Sequence, residues 1–256
     1  MLLSLEIAGR KYAADMARGI SLAIPLVFGA LQPTFFGAPP AEEQVLESGE
    51  WVGDTRRGGS CNVKSYHIVP HCNGTHTESI AHLVDDGPQV HEAVQPGFLP
   101  ATLVSVTPRD KVIDDKLMQV ALGRHPEAVF HKALILRTLP NSEDKLTHRY
   151  EGPLPAPYLT VQAMEMLVQA GVEHLLVDFP SLDPAQDEGR MAAHRVFWGM
   201  PATGHRFADA RRPGGTVTEL IYVPEAVADG YYFLDLQIPA FMTDAAPSRP
   251  VIYPVG

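Results

Sequence analysis

Proline and glycine interrupt this chain so often that no long helix can run through it: they occupy 23 and 21 of its 256 positions. Proline removes a backbone donor and glycine loosens the backbone, so such punctuation favours many short elements joined by turns over a helical bundle. Between the breaks, 45% of residues are hydrophobic and 20% are charged, ordinary values for a globular protein. A chain of this length can bury a core without disulfides. No internal repeat, low-complexity stretch or clear linker divides it, so residues 1–256 are expected to form one domain.

The local patterns predict mixed β and α structure, with strands dominating. Leu2–Ile7 and Lys11–Ala14, around Ala8-Gly9, suit a hairpin. Ile20–Val27, Val63–Val69, Leu103–Val106, Ala133–Thr138, His174–Asp178, Val217–Val223 and Tyr231–Ile238 read as strands. Val161–Ala170 has helical spacing with Thr160 as N-cap and Gly171 just past its end, and Ala192–Trp198 suits a short helix. Residues 32–60 read as a long loop with one helical turn near Glu42–Leu46.

Charge and cysteine content narrow the function. A net charge of −10 repels phosphate backbones, and the pairs Arg56-Arg57 and Arg211-Arg212 suit solvated loops better than a nucleic-acid patch. Two cysteines, Cys61 and Cys72, make no disulfide framework and fit a reducing, cytoplasmic compartment. The apolar stretch Ile20–Leu31 is too short for a membrane span and contains Pro25. No Gly-x-Ser-x-Gly elbow, P-loop or dinucleotide fingerprint occurs, and Gly58-Gly59 and Gly214-Gly215 read as loop turns.

Chemistry concentrates in one place. Of eleven histidines, four fall in residues 67–82, within which runs Cys72-Asn73-Gly74-Thr75-His76-Thr77-Glu78 and then His82. Imidazole, thiolate and carboxylate are the ligands of zinc and its neighbours. Gly74 permits a sharp turn that can bring Cys72 and His76 to one side. His76 and Glu78, two residues apart, face the same way if the segment is extended. Strand alternation would point His71 away from Cys72, and His67 and His91 carry no pattern of their own.

Gly74-Thr75-His76-x-Glu78-x-x-x-His82 resembles the signature of the cyclase family of metal-dependent hydrolases, which includes kynurenine formamidase and isatin hydrolase: His-x-Gly-Thr-His-x-Asp-x-Pro-x-His. Cys72, Glu78 and Ile80 stand where that pattern has its first histidine, its aspartate and its proline. Val177–Pro184, His194-Arg195, Thr218-Glu219-Leu220 and the C-terminal segment from Asp235 are similar to further family segments, with residues 200–215 like an insertion. The resemblance implies an α/β, β-rich single domain of the swivelling β/β/α type that forms homodimers or larger homo-oligomers. It implies Cys72, His76, Glu78, His194 and Glu219 as ligands of one or two divalent ions, zinc first and manganese next, and His82 as the acid/base histidine. Three ligand anions (Cys72, Glu78, Glu219) would then temper up to four positive charges.

The function so implied is hydrolysis of an amide-type bond in a small molecule, an aryl formamide or a cyclic amide. A metal-dependent cyclase or lyase reaction, or metal binding without catalysis, are the alternatives on one fold. Imidazole as a residue type titrates near neutrality, which suits protonation of a leaving amine by His82; orienting a ligand is its other reading. Phe35, Phe36 and Trp198 are candidates for an aromatic substrate wall or for plain core. Ser181 and Asp183 read as a turn after the preceding strand.

Overall fold

Two runs dictate the centre of the molecule. Ala133–Leu136 and Leu175–Val177 are apolar at every position, and the strands Ala133–Thr138 and His174–Val177 that hold them are buried throughout, as strands covered on both faces must be. In the computed structural model, which describes residues 1–151 and 156–256, they pair in parallel, Leu134 opposite Leu175. The full sheet has nine strands, in the order Ala245–Pro247, His76–Glu78, Thr216–Glu219, His174–Val177, Ala133–Thr138, Phe98–Val106, Gly230–Gln237, Arg249–Pro254 and Ile20–Ser21. The four strands from Thr216–Glu219 to Phe98–Val106 run parallel, and the strands flanking them are antiparallel.

Alternation sends each strand into two cores. Leu134, Leu136, Leu175 and Val177 meet the helices Asp115–Gly123, Val161–Gln169 and Ala192–Trp198 on one face. Ala133, Ile135 and Leu176 meet Leu22, Ile221, Leu234 and Ile252 on the other. That second core exists because the sheet curls back on itself. Ala23, just past the last strand, bridges Ile221, and the Tyr222 amide donates to the Leu22 carbonyl at 2.8 Å. The result is a mixed α/β architecture in which the sheet dominates.

The helices form where the spacing and caps direct. Thr160 accepts from the Ala163 amide at 3.1 Å, Ala163, Met164 and Leu167 are buried, and Gly171 follows at φ 85. Burial of a side chain like Leu167 stabilises by roughly 1.5–3 kcal/mol. The helix Asp115–Gly123, capped by Asp114, is an element the sequence reading passed over.

Three expectations need correction. Glu42–Val45 is a strand rather than a helical turn, because it pairs antiparallel with Lys64–His67, and tertiary pairing overrides helix propensity. Ile20–Val27 is strand only at Ile20–Ser21 before the chain turns to the Ala23 bridge, with Pro25 beyond. Val217–Val223 contributes Thr216–Glu219 and then breaks at Leu220, φ 53. No helix among the described residues is long and apolar enough to cross a membrane.

The sheet also carries an acid-sensitive group. Burial lowers the pKa of His174 to about 4, and its Nδ1 lies 2.8 Å from Thr216 Oγ1. An unfolded histidine titrates near ~6.5, so the unfolded chain takes up this proton first as pH falls. Stability is therefore lost between the unfolded pKa near ~6.5 and about 4, by about 3 kcal/mol in all. With metal stripped from both proteins, His174→Asn is expected to flatten this part of the profile of urea midpoint against pH. Parallel wild-type and variant profiles would refute it.

Candidate active site

The site begins with a turn. The Cys72 and Asn73 amides both donate to the Val69 carbonyl at 2.9 Å, and Asn73 Oδ1 accepts from the Val69 amide at 2.7 Å. Gly74, at φ 78, takes a left-handed conformation that side chains disfavour. Thr75 then acts as a clasp: its hydroxyl accepts from the Ile24 amide at 2.9 Å and donates to the Leu220 carbonyl. This fixes the strand His76–Glu78 against Thr216–Glu219, with His76 opposite Glu219. The expected common facing of His76 and Glu78 follows from that extended backbone.

Four donors converge there. His76 Nε2 lies 3.5 Å from Glu219 Oε2, and His194 Nε2 lies 3.0 Å from Glu78 Oε1 and 3.5 Å from Glu219 Oε1. His76 Nδ1 is occupied by the Gly74 carbonyl at 3.1 Å, and His194 Nδ1 by Asp183 Oδ2 at 2.6 Å. Both imidazoles thus turn Nε2 toward the carboxylates. Yet His76 Nε2, His194 Nε2 and both oxygens of Glu78 are buried without a hydrogen-bond partner. An unsatisfied buried polar group costs ~1–3 kcal/mol, and four at one point form a donor set that a divalent ion satisfies. Glu78, His194 and Glu219 have donor atoms within 4.8 Å of one another, as do His71, His76 and Glu78.

The turn at Val69 also sets where His71 and Cys72 lie. It places His71 inside the site, with Nδ1 3.0 Å from Glu78 Oε2 and Nε2 2.7 Å from Asp244 Oδ2. The alternation that would point His71 elsewhere fails because these residues are a turn and not a strand. Burial opposes the charge of His71, but the Asp244 and Glu78 carboxylates beside it outweigh burial and raise the pKa to about 10. The same bond to His71, with one to His82, holds the Asp244 carboxyl well below the usual range. Cys72 lines the cavity, but among the described residues its sulfur joins no cluster of donors, and burial pushes its thiol pKa up.

His82 closes the cluster from the short 3-10 turn Ile80–His82. Its ring stacks on His71 at 4.2 Å, with Nε2 3.9 Å from Glu78 Oε2 and Nδ1 3.7 Å from Asp244 Oδ2. A cavity of about 250 Å³ opens beside these groups, lined also by Phe35, Phe36, Pro180 and Met191. Trp198 is core instead: it is buried behind His194, its ring 5.8 Å away, and its Nε1 donates to the Gly215 carbonyl. His67 and His91 are exposed and lie outside the cavity lining. Residues 200–215 pack on the helix Ala192–Trp198 through Arg195 and Arg212, and none of them lines the cavity.

Two functional residues escaped the sequence reading. The Asp183 amide does donate to Ser181 Oγ in a local turn, but its carboxylate also takes the Ala193 and His194 amides and the His194 ring. A carboxylate behind a ligand histidine fixes its tautomer and is worth 10–100-fold in metal affinity, in round terms of about one to two decades. Asp183→Asn is therefore expected to weaken metal binding by about that factor with the fold retained, read by competition with a chromophoric chelator; unchanged affinity would refute it. Asp244 gave no signal, standing alone in sequence far from the histidines.

Comparison with known proteins gives the family and the fold. Residues 20–184, well over half of the chain, match the cyclase family model, described as "Putative cyclase". A kynurenine formamidase of Bacillus cereus is 29% identical over 218 residues, covering 80% of this chain and 91% of its own. Among solved structures, a potential metal-dependent hydrolase with cyclase activity superposes with TM-score 0.62 at 16% identity, over 92% of this chain and 98% of its own. Isatin hydrolase A of Ralstonia solanacearum superposes with TM-score 0.61 at 14% identity, over 92% and 91%. These two structures share its fold, and the match over residues 20–184 settles the lineage: the chain belongs to the cyclase family.

Proposed function

We infer that this protein is a metal-dependent hydrolase that cleaves an amide-type C–N bond in a small molecule, an aryl formamide or a cyclic amide. The observation that carries this is the group of buried, unpartnered donors on His76, Glu78 and His194, closed by Glu219 and opening onto a cavity. The named activities of its relatives, kynurenine formamidase and isatin hydrolase, are of this kind.

His76, Glu78, His194 and Glu219 would hold the ion, with His71 in the place the sequence pattern gave to Cys72. The oxygens of Glu78 face different imidazoles, Oε1 toward His194 and Oε2 toward His71, so this carboxylate can serve one ion or bridge two. Mixed imidazole and carboxylate donors favour zinc, with manganese next. When bound, the ion supplies an activated water, its pKa lowered from about 15.7 to about 7, and polarises the carbonyl.

The chain's own residues do the rest. Asp183 and the Gly74 carbonyl hold the two imidazoles in the tautomer that presents Nε2. His82, at the cavity wall, hands a proton to the departing nitrogen. Asp244 orients both His71 and His82. Free Cys61 and Cys72 suit a cytoplasmic enzyme, and a homodimer or larger homo-oligomer is the expected assembly.

Elemental analysis of the purified protein beside His76→Ala, His71→Ala and Cys72→Ser tests the reading. A stoichiometric transition metal that is lost in the first two and kept in Cys72→Ser is expected. Metal lost in Cys72→Ser and kept in His71→Ala returns Cys72 to the ligand set. Absence of metal from all four after incubation with zinc or manganese would refute the function. The mass of the product separates hydrolysis, which adds water, from cyclisation, which does not.

A further inference from the structure

The cavity beside the donor cluster is chemically uneven. Its lining carries four carboxylates, Glu78, Asp183, Asp187 and Glu219, and neither lysine nor arginine. Glu78 and Glu219 belong to the donor cluster, and Asp183 is engaged by His194. Asp187 remains on the substrate side. Its oxygens accept from the Gly189 and Met191 amides at 2.8 and 2.7 Å, and among the described residues it has no ion-pair partner. The imidazoles of the lining, His71, His82 and His194, are turned to Glu78, Asp244 and Asp183. Even two divalent ions would not offset the four lining carboxylates together with Asp244.

The same lining is also aromatic. Phe36 sits at φ 57 with 76% of its surface exposed, its ring 5.8 Å from that of Phe35. A left-handed backbone is costly for a bulky side chain, and exposing the ring adds to the cost. Both are accounted for if the ring is a platform for a flat, apolar body. The cavity, at about 250 Å³, exceeds the ~150 Å³ that holds benzene in an engineered core.

We propose that this cavity takes uncharged or positively charged aryl amides and turns away those bearing a carboxylate, with Asp187 selecting charge and Phe36 supporting the ring. The proposal rests on the hydrolase reading above. A cationic substituent gains from Asp187 and from the aromatic face, whereas a carboxylate meets an uncompensated like charge in a partly desolvated site.

The test uses the metal-loaded protein and three aryl formamides on one ring: formanilide and its para-aminomethyl and para-carboxylate derivatives. The carboxylate is expected to show kcat/KM lower by about tenfold, chiefly through KM. Asp187→Asn should narrow that ratio. Ala185→Arg, at an exposed position of the lining, should narrow it further without touching the Asp187 bonds. A carboxylate that is turned over equally well or better by the wild type overturns the proposal, as does a ratio that neither variant moves. If none of the three is hydrolysed, the aryl-formamide form of the hydrolase reading fails, and calorimetric binding of the three corresponding anilines still decides the charge rule. Weakest binding of the carboxylate supports it; equal or tighter binding overturns it.

Discussion

Replacing His82 by alanine is expected to lower kcat by roughly 10²–10⁴-fold while leaving the metal in place, the usual range for loss of one acid/base group. The reason is positional. His82 lies at the cavity wall, 27% exposed, and its nearest ring atom is 3.9 Å from Glu78. The donor set Glu78, His194 and Glu219 is complete without it. Its partners, the stacked His71 ring and Asp244, hold its orientation. KM should move by only a few-fold, since proton transfer is a feature of the transition state. His82→Gln, which keeps polarity and bulk, should lose as much as alanine. Steady-state kinetics with elemental analysis on the same samples decide the matter: metal lost together with activity makes His82 a ligand, and unchanged kcat ends its acid/base role.

The second large effect is on stability. Stripping the metal is expected to lower Tm by roughly 8–16 °C, restored by adding zinc. An ion present at about 1,000 times its Kd contributes ~4 kcal/mol to the folded state, and each kcal/mol moves Tm by about 2–4 °C in chains of this size class. The structure gives the reason for so strong a linkage, since Glu78 is fully buried with both oxygens lacking a hydrogen bond. Differential scanning calorimetry before and after chelation, with metal content measured, reads the shift. A Tm that stays put once the ion is gone would show that the donor cluster is satisfied by the protein alone.

What the sequence disclosed follows from the range of the forces involved. Gly74, Thr75, His76 and Glu78 were legible because a turn, an extended segment and ligand types coincide over a few residues. Leu134 and Leu175 were legible as strand for the same local reason. His194 and Glu219 needed the family resemblance, because nothing in a single helix or strand says that it faces a particular histidine. The place of His71 beside Glu78 lay beyond both, since it turns on two amides sharing the Val69 carbonyl. Asp183 looked like a turn residue and is one, but its second role depends on a helix start that arrives ten residues later. Asp244 meets His71 across 173 positions of chain, a contact made by the pairing of Ala245–Pro247 with His76–Glu78. Glu42–Val45 misled in the opposite direction: its composition suits a helix, and a partner strand decides otherwise.

The Thr75 clasp has a consequence for how the ion is acquired. Its two partners, Ile24 and Leu220, lie 51 and 145 positions away, and they border the residues that join the sheet to itself. The donor residues of three distant segments, His76 with Glu78, His194 and Glu219, are therefore brought together as the sheet curls back on itself. A nascent or unfolded chain offers only the local His71, His76 and Glu78 set, without the His194 and Glu219 that complete it. The whole donor set is therefore assembled only in the folded chain, and metal affinity and folding are expected to rise together.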